Sequence, residues 1–340
     1  MTRNVYGLDL GTYEIKIYDK KADEIRKEKD VIAMKDKRYI FSVGDEAYEM
    51  YEKAPDNIEV IFPMKGGVIA HFDDMQYLLE SLLKKEGRFQ RASEYLIAVP
   101  TDVTEVEKRA FYDLVFHSAA KAKSVKIVER GIADAVGFGA DIWQEKGLFI
   151  ANFGAGTTEL SVLSSGGMVL NRLLKIGGDD FDAAVAARVR HNHDFLIGKL
   201  TAERLRREFG VFDQGADASL TVSGRDLMKG VPKEKKISIG LVRASMKEPL
   251  AECAAAIRTM IERTPPDVRK GIEKNGICLT GGIANLRGLS TYLEESVGLP
   301  VSVAQKPELC AVQGLKKMIQ NKEFKKLTYS MLDEDYRWLR

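Results

Sequence analysis

The sequence predicts an α/β fold built from two related lobes, and three observations carry that prediction. The chain has 340 residues, more than one core of ordinary size holds and enough for two. A strand, a glycine turn and a second strand occur twice, as GLDLGTYEIKI near the start and IANFGAGTTELSV near the middle. Elsewhere short apolar strands alternate with amphipathic helices, the pattern of mixed sheets covered by helices.

Composition narrows the class. Hydrophobic residues make up 45% and charged residues 30%, which suits a globular protein rather than a disordered one. A net charge of +2 demands neither a nucleic acid nor an anionic membrane, and no nucleic-acid partner is expected. The three cysteines, Cys253, Cys278 and Cys310, form no CxxC pair and read as reduced, buried thiols of a cytosolic protein. The opening MTRNVYGLDLG runs straight into a strand, so no signal peptide is expected. No apolar run reaches the roughly 18 residues that a membrane span needs. His191 and His193 flank Asn192 on a polar stretch and read as surface residues, with no metal assigned.

The elements follow in order. Residues 5–9 read as a buried strand, Gly11 and Thr12 turn it, and residues 14–19 alternate as the returning arm. Residues 73–85 have helical spacing at Met75, Leu78, Leu79, Leu82 and Leu83. A strand over 95–100 leads to a helix over 104–119, whose start carries a Thr104/Glu107 capping box. A strand over 125–128 precedes a helix over 131–138. The second copy of the hairpin places strands at 148–152 and 159–163 around Gly154, Ala155, Gly156, Thr157 and Thr158. Its polar strand end, Asn152, stands where Asp9 stands in the first copy, too far along the chain for a solenoid repeat. Residues 168–174 continue the meander, 177–180 turn, and 181–190 begin a helix. Residues 213–219 read as a polar loop, and 248–264 as a long helix ended by Pro265 and Pro266. A last strand over 276–280 runs into Gly281 and Gly282.

Turns of this kind suit phosphate. Glycine lacks a Cβ, so backbone N–H groups reach phosphate oxygens, and the hydroxyl of Thr12 or Thr157 adds a donor. A strand-end carboxylate such as Asp9 holds a hydrated Mg²⁺ through its waters. Lys16, on the arm after the first turn, supplies a positive point charge. Two such hairpins face to face clamp phosphates from both sides. The strand, double glycine and helix of LTGGIANLRGL suit a close approach to a base or a phosphate.

Taken together, these segments resemble the bacterial actin homologues of the MreB type over nearly the whole chain. GLDLGT and NFGAGTTEL resemble the two phosphate loops, and LTGGIANLRGL the adenosine loop. FPMKGGVIAHF, VPTDVTEVEKRA, IGGDDFD, IGKLTAERLRREFG and SGRDLMKGVPK match family segments in the same order. The resemblance implies an actin-like ATPase fold of two ribonuclease-H-like lobes with a nucleotide cleft between them. It implies a first lobe over 1–147, with an insertion near 28–70 and completion by 310–340. The second lobe then spans 148–309, with an insertion near 181–247. It further implies ATP and Mg²⁺ as cofactors and self-assembly into filaments. Inner-membrane cell-shape proteins and membrane lipid are the implied partners, at the inner face of the cell membrane, in the service of cell-wall synthesis. Carried over by position, the cofactor-binding residues are Asp9, Gly11, Thr12, Tyr13, Lys16, Asn152, Gly154, Ala155, Gly156, Thr157, Thr158, Gly178, Glu203, Arg206, Gly281, Gly282 and Ile283. Glu203 and Arg206 fall near ribose and base, and Arg206 replaces the family's usual Lys.

Two departures bear on hydrolysis. The second phosphate loop begins with Asn152 where the family has Asp, so one of two facing carboxylates is lost. In Val128-Glu129-Arg130-Gly131-Ile132-Ala133 the family pattern is Glu-Glu-Pro-x-Ala, whose Glu before Pro orients the attacking water. Arg130 holds that place and stays protonated, so it suits a phosphate oxygen or transition-state charge rather than a proton. Glu129 is the neighbouring candidate base, pointing about 100° away on a helix. Nucleotide binding with slow or absent hydrolysis is the expectation.

For membrane contact, the loop 86–91 offers only Phe89 among basic residues. Residues 324–340 place Phe324, Leu327, Met331, Leu332, Tyr336 and Leu339 near helical spacing, which suits either a membrane surface or packing on the first lobe. Two other readings stay open: a non-polymerising adaptor resembling FtsA or PilM, and a kinase or chaperone of the wider superfamily.

Overall fold

The protein is described from a computed structural model, over residues 4–84, 92–119, 122–211 and 218–332. Two five-stranded sheets dominate it. In the first, the order is Ser124–Glu129, Glu94–Val99, Val5–Leu10, Glu14–Asp19 and Glu24–Lys29. In the second it is Val301–Val303, Ile277–Thr280, Leu148–Phe153, Thr158–Ser164 and Gly167–Leu174. Each sheet runs parallel over its first three strands and antiparallel through the hairpin and the third meander strand. The duplication read from two hairpins therefore extends to whole sheets. The register is duplicated too: Asp9 pairs with Lys16, and Asn152 with Glu159. The central strands are almost continuously buried, as parallel strands covered on both faces must be.

Two helices lie between the sheets. Arg130–Phe138 and Cys310–Gln320 share a core with Leu96 and Val128 of the first sheet and Leu148, Ile150 and Leu163 of the second. They pack backbone to backbone. A Cβ at Gly137 would overlap the Cys310 carbonyl, and one at Gly314 the Ala133 carbonyl. Besides a two-stranded ribbon of Met64–Lys65 and Val68–Ile69, there are two small three-stranded sheets among the described residues. One comprises Ile32–Lys35, Tyr39–Val43 and Ile58–Ile61; the other Phe195–Leu196, Ser219–Asp226 and Pro232–Ser238.

The structure departs from the sequence reading at three places. The helix Ile239–Arg263 begins well before residue 248 and passes through Pro249. Val242, Met246, Leu250, Cys253, Ile257 and Met260 keep one buried stripe across the proline, and that burial outweighs one missing N–H. The helix Gly178–His193 starts inside the expected turn, because the Asp180 carboxylate accepts from the Gly177 N–H at 2.8 Å. The tail forms no amphipathic helix as far as it is described. Lys322–Leu327 is a 3₁₀ segment, and Tyr329 then pairs with Ile127 at the edge of the first sheet. Phe324 and Leu327 pack on the inter-sheet core, and Tyr329 and Met331 on the core of the first sheet. Tyr336 and Leu339, the loop 86–91 with Phe89, and most of the expected loop 213–219 lie outside the described residues.

Candidate functional site

The two hairpin turns meet across a cleft of about 470 Å³, within the size range of small-ligand sites. They are in near contact: a Cβ at Gly156 would come 3.0 Å from the Thr12 hydroxyl. The second turn is closed by Gly154 N–H donating to the Thr157 carbonyl at 2.8 Å. Behind it, the Gly178 N–H donates to the Gly154 carbonyl at 3.1 Å, which sets the N-terminus of the helix Gly178–His193 at the cleft wall. Turn amides and a helix N-terminus together suit an anion. Beside the second turn, at the end of the strand Ile277–Thr280, Gly281, with φ +84°, lies hard against the Phe153 carbonyl, a place and a conformation that only glycine fits without strain.

Of the residues expected at the site, Asp9, Gly11, Thr12, Tyr13, Lys16, Arg130, Asn152, Gly154, Ala155, Gly156, Thr157, Gly178, Glu203, Arg206, Gly281, Gly282 and Ile283 line this cleft. Two expected residues do not. Thr158 points into the second sheet's core, where its hydroxyl donates to the Ile176 carbonyl at 2.8 Å. Glu129 is turned away, held by Lys108 Nζ and the Tyr329 hydroxyl, each at 3.0 Å. Engaged there, it is no substitute base. The sequence reading missed Glu159, Asp182, Asn285, Pro307 and Glu308, which also line the cleft. Only the alternation of the second hairpin could have pointed to Glu159, as the residue opposite Asn152.

Arg130 governs the floor. It is 7% exposed, and its three nitrogens face three partners. Nη1 donates to Glu159 Oε1, Nη2 donates to the Leu10 carbonyl at 3.0 Å, and Nε lies 3.4 Å from Asp9 Oδ1. Burial alone would lower the guanidinium's pKa, but Glu159 and Asp9 outweigh it and hold the group charged. Glu159 also accepts from the Thr101 N–H at 3.1 Å. Asn152 turns its Nδ2 onto Asp134 Oδ2 at 2.7 Å. Burial lifts the Asp134 pKa to about 7, against the opposing pull of that hydrogen bond.

A dication finds little to hold here. Asp9, the expected carboxylate for hydrated Mg²⁺, already faces Lys16 Nζ at 3.7 Å with one oxygen and Arg130 with the other. Asn152 brings no charge, and Glu159 is taken by Arg130 and Thr101. Among the described residues no group of three or more His, Cys, Asp or Glu suits a metal. Asp9 Oδ1 and Asp134 Oδ1 accept no hydrogen bond, but the guanidinium and ammonium beside Asp9 suit a dication poorly.

Farther out, Arg206 grips Asp182 through two nitrogens, at 2.6 and 3.1 Å. Burial raises the Asp182 pKa to about 6 despite Arg206. Glu203 accepts from the Tyr13 hydroxyl at 3.3 Å and the Tyr48 hydroxyl at 3.4 Å, and pairs with Arg207 at 2.6 Å. Tyr13 belongs to the first turn and Glu203 to the helix Lys199–Phe209, so these bonds cross the mouth of the cleft.

Comparison with known proteins gives a consistent result. The family model for MreB/Mbl protein matches residues 3–327. The cell shape-determining protein MreB of Escherichia coli is 35% identical over 329 residues, covering 94% of each chain. The crystal structure of MreB5 of Spiroplasma citri bound to AMPPNP superposes with a TM-score of 0.89 at 30% identity, over 96% of this chain and 98% of that one. A MamK double helical filament shares the fold, with a TM-score of 0.80 at 17% identity over 94% of this chain and 99% of that one. The actin-like fold expected from the sequence is the fold of this chain.

Proposed function

The chain belongs to the MreB/Mbl family, and from that membership we propose that it binds ATP in the cleft and assembles into filaments that act in cell-shape determination. The filaments lie at the inner face of the cell membrane, with cell-wall synthesis proteins as partners. Residues 1–147 with 310–340 form one lobe and 148–309 the other, so the nucleotide touches both. Hydrolysis is slow or absent. The observation that carries this reading is the floor of the cleft: the two phosphate-type turns face each other, while Arg130, in the place of the water-orienting Glu, is ion-paired to Glu159 and Asp9. The family likeness to a structure bound to AMPPNP supports the choice of an adenine nucleotide.

The test is pelleting with negative-stain microscopy, with and without ATP, while phosphate release is followed in the same tube. Filaments that need ATP yet release little phosphate are expected. Phosphate release at the rate of a family member with Asp and Glu in the two altered positions would sink the slow-hydrolysis reading. Bound nucleotide without filaments would replace the filament reading with that of an adaptor.

A further inference from the structure

We propose that this cleft binds its nucleotide without a divalent metal, with Arg130 and Lys16 supplying the positive charge that a metal ion would bring. The proposal rests on the nucleotide reading above and deepens it. The carboxylates at the floor already face cations or amides of the protein, although Asp9 Oδ1 and Asp134 Oδ1 accept no hydrogen bond. Asp9 faces Lys16 through one oxygen and Arg130 through the other, at 3.7 and 3.4 Å. Glu159 accepts from Arg130 and from the Thr101 N–H. Asp134 accepts from Asn152 and is shielded behind it. Lys16 and Arg130 thus meet Asp9 and Glu159 before any ligand enters, with Asp134 buried behind them, and each cation is more exposed than the carboxylate it faces.

A metal ion riding on the phosphates gains most where carboxylates face its waters. Here the approach to Asp9 brings it up against an ammonium and a guanidinium, and like charges at that range repel. The metal therefore gains nothing from the protein. The phosphates meet positive charge that is fixed in place, because the Leu10 carbonyl and Glu159 hold the guanidinium and Lys16 stands on the hairpin arm. Preorganised charge of this kind needs no ion to complete it.

The experiment is titration of the full chain with N-methylanthraniloyl-ADP, in excess EDTA and in excess MgCl₂ at matched ionic strength. Dissociation constants that agree within about threefold are expected, since the metal adds no protein contact. A larger loss of affinity in EDTA overturns the proposal. Absence of binding in both buffers overturns the nucleotide reading itself and this inference with it. The double variant Arg130→Gln with Asn152→Asp restores an unpaired carboxylate and removes the guanidinium. Mg²⁺ is expected to tighten its binding by about tenfold, as one fixed charge partner is worth. A folded double variant that stays indifferent to Mg²⁺ would show that Arg130 is not the source of the charge. If that variant does not fold, the comparison on the unaltered chain still decides.

Discussion

Arg130 and Asp30 show two ways in which a single residue meets the cost of burial. Arg130 is ion-paired to Glu159 and Asp9, and breaking a buried pair from one end costs about 3–5 kcal/mol. Among the described residues no cation pairs with Asp30. One oxygen accepts from the Met64 N–H at 3.0 Å, the other has no hydrogen-bond partner, and burial lifts the pKa to about 7. In the unfolded chain the same carboxyl titrates near 4, at about 3.9. Between those values the native state binds more protons than the unfolded state. The contribution of Asp30 to stability is thus full below about pH 4 and is lost as pH rises through about 7. Asp134 and Asp182, raised to about 7 and about 6, act in the same direction. Asp30→Asn is expected to melt above the unaltered chain at about pH 8 and to show a shallower fall between about pH 5 and pH 8. Equal pH slopes for the two proteins would refute this account of Asp30.

At the scale of elements, the helices Arg130–Phe138 and Cys310–Gln320 form the joint between the sheets, and their closeness depends on Gly137 and Gly314. Gly314→Ala drives a methyl into the Ala133 carbonyl, with backbone on both sides and no flexible side chain to yield. Overpacking of this kind costs about 1–3 kcal/mol, so a lower melting temperature is expected, with Gly240→Ala, where the space is open, as the control. An unchanged melting temperature for Gly314→Ala would mean that the helices part without cost. Nothing local in the sequence marks that joint. The hairpins were legible because a glycine turn and a two-residue alternation are written within a dozen residues. The partners of the site residues were not, since Arg130 meets Glu159 and Asn152 meets Asp134 only once both sheets and the helix between them are in place. The early start of Ile239–Arg263 was hidden by Pro249, a local signal overridden by a buried stripe. The tail had helical spacing, yet Tyr329 within it pairs with Ile127, about two hundred residues back in the chain.

The whole molecule is bridged at both ends of its cleft, and the two bridges differ in kind. At the floor the bridge is the buried pair of Arg130 and Glu159. At the mouth the contacts are more exposed: Tyr13 and Tyr48 reach Glu203, and Lys199 Nζ lies 2.9 Å from Asp179. There the Glu52 carboxylate also accepts from the N–H groups of Lys199 and Leu200, at the N-terminus of the helix Lys199–Phe209. A carboxylate in that place satisfies orphan helix amides and meets the positive end of the helix dipole. Glu52 does not line the cleft, so its removal leaves the binding surface whole while weakening the closure over it. A cap of this type contributes about 1 kcal/mol, which corresponds to about fivefold in the rate of opening. Glu52→Ala is therefore expected to release N-methylanthraniloyl-ADP about fivefold faster in a stopped-flow chase, with the association rate little changed. Release at the unaltered rate would show that the mouth contacts do not limit exit, and that opening is governed instead by the floor.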